Sequence, residues 1–257
     1  MGFPRFKSMV SQMLIVCLLS AGCGGSPSAP SPGSLTAQVT KTIVHHNDGG
    51  TFSHRLSLTL RETAGVSVNI TKVAVTITGI SGAKITTEFA PSDLLQTPRI
   101  DPRGTVSTTV AVTTPIALDA QNVSISVMFG NYVGNVGSLE LSAGVKVDLT
   151  GAWTGALPIR TNPVANWSFA RAALVQSGNM LAGELVSDDA KSFPLSGTLF
   201  ELRVGGLTPG SITVQPCNAQ LDLREFEINN GQVTHVFGSV RGRCGNTLAG
   251  NFDLQRG

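Results

Sequence analysis

Arg55-Leu-Ser-Leu-Thr-Leu-Arg61 alternates apolar and polar residues without a break, so Leu56, Leu58 and Leu60 face one way and Arg55, Ser57, Thr59 and Arg61 the other. A period of two marks a half-buried β-strand, because successive side chains point to opposite faces. Lys72-Val-Ala-Val-Thr-Ile-Thr78 repeats the pattern, as do residues 105–112, 123–129 and 138–147. With 35–44 and 84–89, about seven strands are predicted before residue 148, separated by turn residues at the spacing of a β-sandwich. No helical period occurs.

The alternation restarts at residue 148 and predicts strands over 148–155, 167–176, 180–187, 193–199, 211–215, 220–228, 232–241 and 247–255. Ser177-Gly-Asn179 and Asn229-Asn-Gly231 are tight-turn signals between them. Eight successive strands with short links predict an up-and-down barrel, which removes its sheet edges by closing. The expected fold class is therefore all-β, with a sandwich over residues 35–147 and a barrel over 148–257.

The N-terminus reads differently. Arg5 and Lys7 precede the apolar run 13–19, and Ser20-Ala-Gly22 lead to Cys23. The run is shorter than the ~20 residues that span a bilayer and fits the core of a secretory signal. The stretch resembles a bacterial lipobox, with Ser20 standing at the aliphatic position that Leu19 misses by one place. This resemblance implies removal of residues 1–22 and acylation of Cys23; the alternative is an ordinary cleaved signal that leaves Cys23 as a thiol. Gly24, rather than Asp, after the cysteine implies the outer membrane among the envelope locations. Residues 23–34 form a Gly/Ser/Pro linker with too little apolar surface to fold.

Charge narrows the partners. The chain has 18 Lys and Arg, of which Arg5 and Lys7 fall in the leader, leaving 16 against 16 Asp and Glu. No basic cluster is present to release counterions, so nucleic acid is not an expected partner. Cys217 and Cys244 remain beyond the lipobox, and two cysteines in one exported domain predict a disulfide. No metal or cofactor is expected.

Two family resemblances extend this reading. Leu58-Thr-Leu-Arg-Glu-Thr-Ala-Gly-Val66, followed by Ile70-Thr-Lys-Val-Ala-Val-Thr76, resembles the immunoglobulin-like domains of bacterial surface lipoproteins, which implies a spacer or adhesion module. Gly151-Ala-Trp153 on the first barrel strand, with Arg256 in phase with Phe252 and Leu254 on the last, resembles the closed end of lipocalin and avidin-like barrels. That resemblance implies Arg256 over the Trp153 indole, a cation–π contact of about 0.5–2 kcal/mol. The tryptophan and tyrosine set of a biotin site is missing.

Strand phase places Trp167, Phe169 and Arg171 on one face and Val233, His235 and Phe237 on another. If these faces point inward, Trp153, Trp167, Phe169, Arg171, His235 and Phe237 form a lumen site for a small apolar ligand; the alternative is a lumen filled by its own side chains. The expected role is that of a membrane-anchored, non-catalytic binding or structural module, meeting a small apolar ligand or an envelope protein. A second reading is a protein-interaction or protease-inhibitor-like module recognising through the connection 157–166, which Pro158 and Pro163 stiffen. A metal-dependent enzyme using His45, His46, Asp48 and His54 is the least favoured, because adjacent histidines on a strand point to opposite faces.

Overall fold

The computed structural model describes the chain from Gly33 to Gly257, apart from residues 80, 117–120, 144–146, 162–164, 189, 208–216 and 245. It describes the backbone alone at 121, 157–161, 165–170, 205–207, 217–218, 242–244 and 246–249. The strands before residue 148 are β1 (Leu35–His46), β2 (Phe52–Glu62), β3 (Val68–Gly79), β4 (Lys84–Phe89), the short β5 (Arg99–Ile100), β6 (Thr105–Thr114), β7 (Gln121–Asn131) and β8 (Val136–Ala143). A single turn of helix, α1 (Pro91–Leu94), carries proline in its first turn. The remaining strands are β9 (Gly151–Thr161), β10 (Ala165–Ser177), β11 (Met180–Ser187), β12 (Ser192–Thr198), β13 (Glu201–Leu207), β14 (Cys217–Asn229), β15 (Gln232–Cys244) and β16 (Asn246–Arg256).

The protein is all-β. β9 to β16 pair in sequence order, every pair antiparallel, and β16 returns to β9, so the eight strands close an up-and-down barrel. Ahead of them, β1-β2-β6 face the sheet β4-β3-β7-β8. The alternation in β2 accounts for the core between these sheets. Phe52, His54, Leu56, Leu58, Leu60 and Glu62 are all buried, and the intervening residues are not. Val73, Val75 and Ile77 of β3 and Val123, Ile125 and Val127 of β7 belong to the same core.

The two halves share a strand. The first part of β14 pairs with β13, from Leu207 opposite Cys217 to Glu201 opposite Asp222. Its last part turns to the sandwich, where Glu225 to Asn229 pair with His45 to Lys41 of β1. β14 is long enough to do both, and the barrel sheet runs on through β1 and β2 to β6.

The linking residues 147–149 are tied into this body. Val147 and Leu149 are buried. Gln176 accepts from the Leu149 N–H at 2.8 Å and donates to the Val147 carbonyl at 3.0 Å.

Candidate functional site

The closed end of the barrel gathers the residues that the sequence singles out there. The Arg256 guanidinium carbon lies 4.8 Å from the centroid of the Trp153 ring. Trp153 is fully buried, and its indole N–H donates to the Leu149 carbonyl at 2.8 Å. Arg256 donates to the carbonyls of Val233 and Thr150, each at 2.8 Å, and to that of Asp148. Gly151 has φ +135°, and a Cβ there would stand 3.2 Å from the arginine Nη1. One guanidinium thus plugs the barrel end by gathering three carbonyls from two segments, as its rigid fork of donors permits.

Above this plug the lumen is lined by Trp153, Leu174, Leu185, Leu221, Phe252 and other apolar side chains, and the cavity among the described residues measures about 10 Å³. That is about the room a single water needs, against the several hundred Å³ of a small-molecule pocket.

Trp153 lines the lumen, whereas Arg171, His235 and Phe237 lie outside it. Arg171 is exposed on the outer face. Its strand carries a bulge between Phe169 and Arg171, so Ala172 and Leu174 take the inner positions. In β15 the register skips Thr234, because Val233 faces Ile228 while His235 faces Glu227. Val233 and Val236 are therefore both buried, and His235 and Phe237 lie outside, stacked with centroids 5.8 Å apart. His235 Nδ1 stands 3.8 Å from the Glu227 carboxylate. In each strand an extra residue flips the phase that strict alternation assumes. The side chains of Trp167 and Phe169, like those of Cys217 and Cys244, lie outside the described residues, as does Cys23. The long connection 157–166 is mostly ladder: Ala165 pairs with Thr161 and Ser168 with Pro158.

A second concave feature, which the sequence reading misses, sits where sandwich and barrel meet. The β1–β2 turn, the β12–β13 turn and β14 enclose a cleft of about 220 Å³, lined by His46, Asp48, Phe200, Asp222, Arg224 and Arg241 among others. Phe200 lies tilted against His46 at 4.8 Å and Phe52 at 5.3 Å, and meets Phe226 edge-on at 6.3 Å. Arg224 pairs with Asp48 at 3.1 Å and Arg241 with Asp222 at 2.7 Å. Burial holds the His46 pKa below the ordinary value of 6.5, the Arg224 and His45 charges push it the same way, and Asp48 and Asp222 oppose them. Each arginine already has its carboxylate, so the cleft is a charge-matched, aromatic-floored seam.

The four residues of the metal-enzyme reading diverge. His45 faces Glu225 at 3.5 Å, His46 joins the aromatic seam, Asp48 takes Arg224, and His54 is buried in the sandwich. Among the described residues no three His, Cys, Asp or Glu side chains come together as a metal site. No known family matches the chain, and neither a curated protein nor a solved structure matches it.

Proposed function

We propose that this chain is an exported, lipid-anchored protein of the bacterial envelope, acting as a non-catalytic structural or binding module that recognises its target with its outer surface. The observation that supports the second half is the described part of the barrel lumen, whose cavity of about 10 Å³ falls far below the several hundred Å³ of a small-molecule pocket. The first half rests on the leader, the small residues before Cys23 and the linker that follows. Acylation at Cys23 makes the membrane the first partner, and an envelope protein is the second. The disulfide belongs to the same reading. The pairing of Asn218 with Arg243 supports it, because continuing that register by one residue would set Cys217 opposite Cys244, where a cross-strand bridge would pin the open end of the hairpin.

The test uses the full chain expressed with its leader in a bacterial envelope. Intact mass should show loss of residues 1–22, addition of acyl chains and absence of two hydrogens. A fluorescent apolar probe such as N-phenylnaphthylamine should give no saturable binding to the detergent-free protein. Saturable one-to-one binding, or a native mass carrying a small molecule, would return the lumen to the ligand-binding reading. An unacylated Cys23 would remove the anchor.

A further inference from the structure

We infer that the tip of the β7–β8 hairpin is a membrane-contact element, seated in the interface of the same lipid surface that holds the anchor. The inference rests on the anchor reading for the orientation of the molecule. It rests on the fold for the tip.

The tip concentrates apolar surface where a water-facing loop would carry charge. Tyr132 is 76% exposed, Val136 79%, and Met128 and Val133 45% each. Gly130 pairs with Val136 and Met128 with Ser138, so Met128 and Val136 are diagonal neighbours on one outer face, just below Tyr132 and Val133. From residue 121 to residue 139 the chain has no Asp, Glu, Lys or Arg. Contiguous exposed apolar groups at a loop tip mark a contact surface. Tyrosine in particular suits a boundary that is apolar on one side and wet on the other.

The tip is also built in advance. Asn131 Oδ1 accepts from the N–H groups of Val133 at 3.1 Å and Asn135 at 3.0 Å. The Asn131 N–H donates to the Asn135 carbonyl at 2.9 Å, and Gly134 supplies φ +86°. The turn is closed before it meets anything, so little ordering entropy opposes contact.

The place where the chain enters the fold chooses the partner. A Cβ added at Gly33 would run into the side chain of Val68, and the Ser34 carbonyl accepts from the Thr63 N–H at 2.9 Å. Val68 in turn pairs with Asn131, the root of the hairpin. The N-terminal entry and the apolar tip therefore share one end of the sandwich. Ten residues separate Cys23 from Gly33, a reach of at most about 35 Å. Asn69 pairs with Arg99 on one side and with Gly130 on the other, which sets Arg99, ion-paired with Asp101 at 3.0 Å, about 10 Å across the sheet from the hairpin. On the anchor reading, a body tethered at the end that carries its uncharged apolar tip brings that tip to the lipid surface first.

The chain has one tyrosine, Tyr132, so biosynthetic 3-fluorotyrosine gives a single ¹⁹F resonance at the tip without a mutation. Mass spectrometry first settles whether Cys23 is acylated, which decides the anchor reading by itself. Acylated protein is then placed in phosphatidylethanolamine/phosphatidylglycerol vesicles. The resonance should broaden with nitroxide-labelled lipid and be shielded from a water-soluble paramagnetic chelate. A resonance that stays open to the chelate and insensitive to the lipid label overturns the inference and assigns the tip to protein contact. If Cys23 proves unacylated, the leaderless chain is floated with the same vesicles. Co-flotation that falls about tenfold in Tyr132→Ser/Val136→Ser sustains the inference, and equal or absent flotation overturns it.

Discussion

Arg256 shows how much one side chain does here. It covers the Trp153 ring and satisfies carbonyls of residues 148, 150 and 233, so its removal strips charged donors from the barrel end. Arg256→Ala should lower stability by about 2–3 kcal/mol in urea unfolding, and Arg256→Lys should restore only part of it, because a point charge lacks the planar fork. His46 makes a prediction in pH. Its folded pKa lies below 6.5, so the unfolded chain takes up the proton first. The stability that neutral His46 supports is complete above pH 6.5 and is lost as pH falls from there towards the depressed folded value. The groups facing it are His45, Asp48, Asp222 and Arg224. His46→Phe keeps an aromatic ring in the seam and removes the titration, so urea midpoints measured from pH 7 down to pH 5 should fall less steeply than in the parent.

At the scale of elements, most strands were legible because both halves bury one face of each strand. Residues 84–89 and 180–187 are strands β4 and β11 to the residue, and turn signals such as Asn229-Asn-Gly231 stand where hairpins form. The failures have local causes. β13 went unread because the turn before it, Leu199-Phe200, carries no turn chemistry; Phe200 is held there by the aromatic seam of the other half. The strand expected over 211–215 lies outside the described residues. Arg171, His235 and Phe237 fall outside the lumen because of the bulges in β10 and β15, since one inserted residue inverts every later side chain and leaves no mark in composition. The seam itself was invisible because its members come from positions 46, 52, 200 and 226, which only the fold brings together. Gly155 tests the barrel's closure: at φ +150°, an added Cβ would collide with the Asp253 carbonyl of the neighbouring strand. Gly155→Ala should cost about 2–3 kcal/mol and lower the melting temperature measured by circular dichroism.

From Gly33 onward the sandwich and the barrel form one compact unit, because β14 belongs to both halves and the seam joins them. The tryptophans, Trp153 and Trp167, lie in the barrel and Tyr132 in the sandwich, so each half carries its own probe. Tryptophan fluorescence and the ¹⁹F signal of fluorotyrosine should report one coincident urea transition. Phe200→Ala should lower both midpoints together, by about 2–3 kcal/mol. Two separated transitions in the parent protein would show that the shared strand does not couple the halves. β1 rises about 3.3 Å per residue, so its twelve residues put the seam roughly 35 Å from the point where the chain enters the fold. On the anchored reading, the sandwich stands next to the lipid and holds the seam and the far end of the barrel out in the aqueous space.

The shared strand also imposes an order in time. β1 gains its first neighbour once residue 62 has been made, but Lys41 to His45 wait for residues 225–229 to be paired on the other side. Until residues 225–229 are in place, β1 offers an open edge to any passing strand, its own or a neighbour's. The last hairpins to arrive are therefore the ones that close the first strand, and a chain cut short before β14 leaves that edge bare.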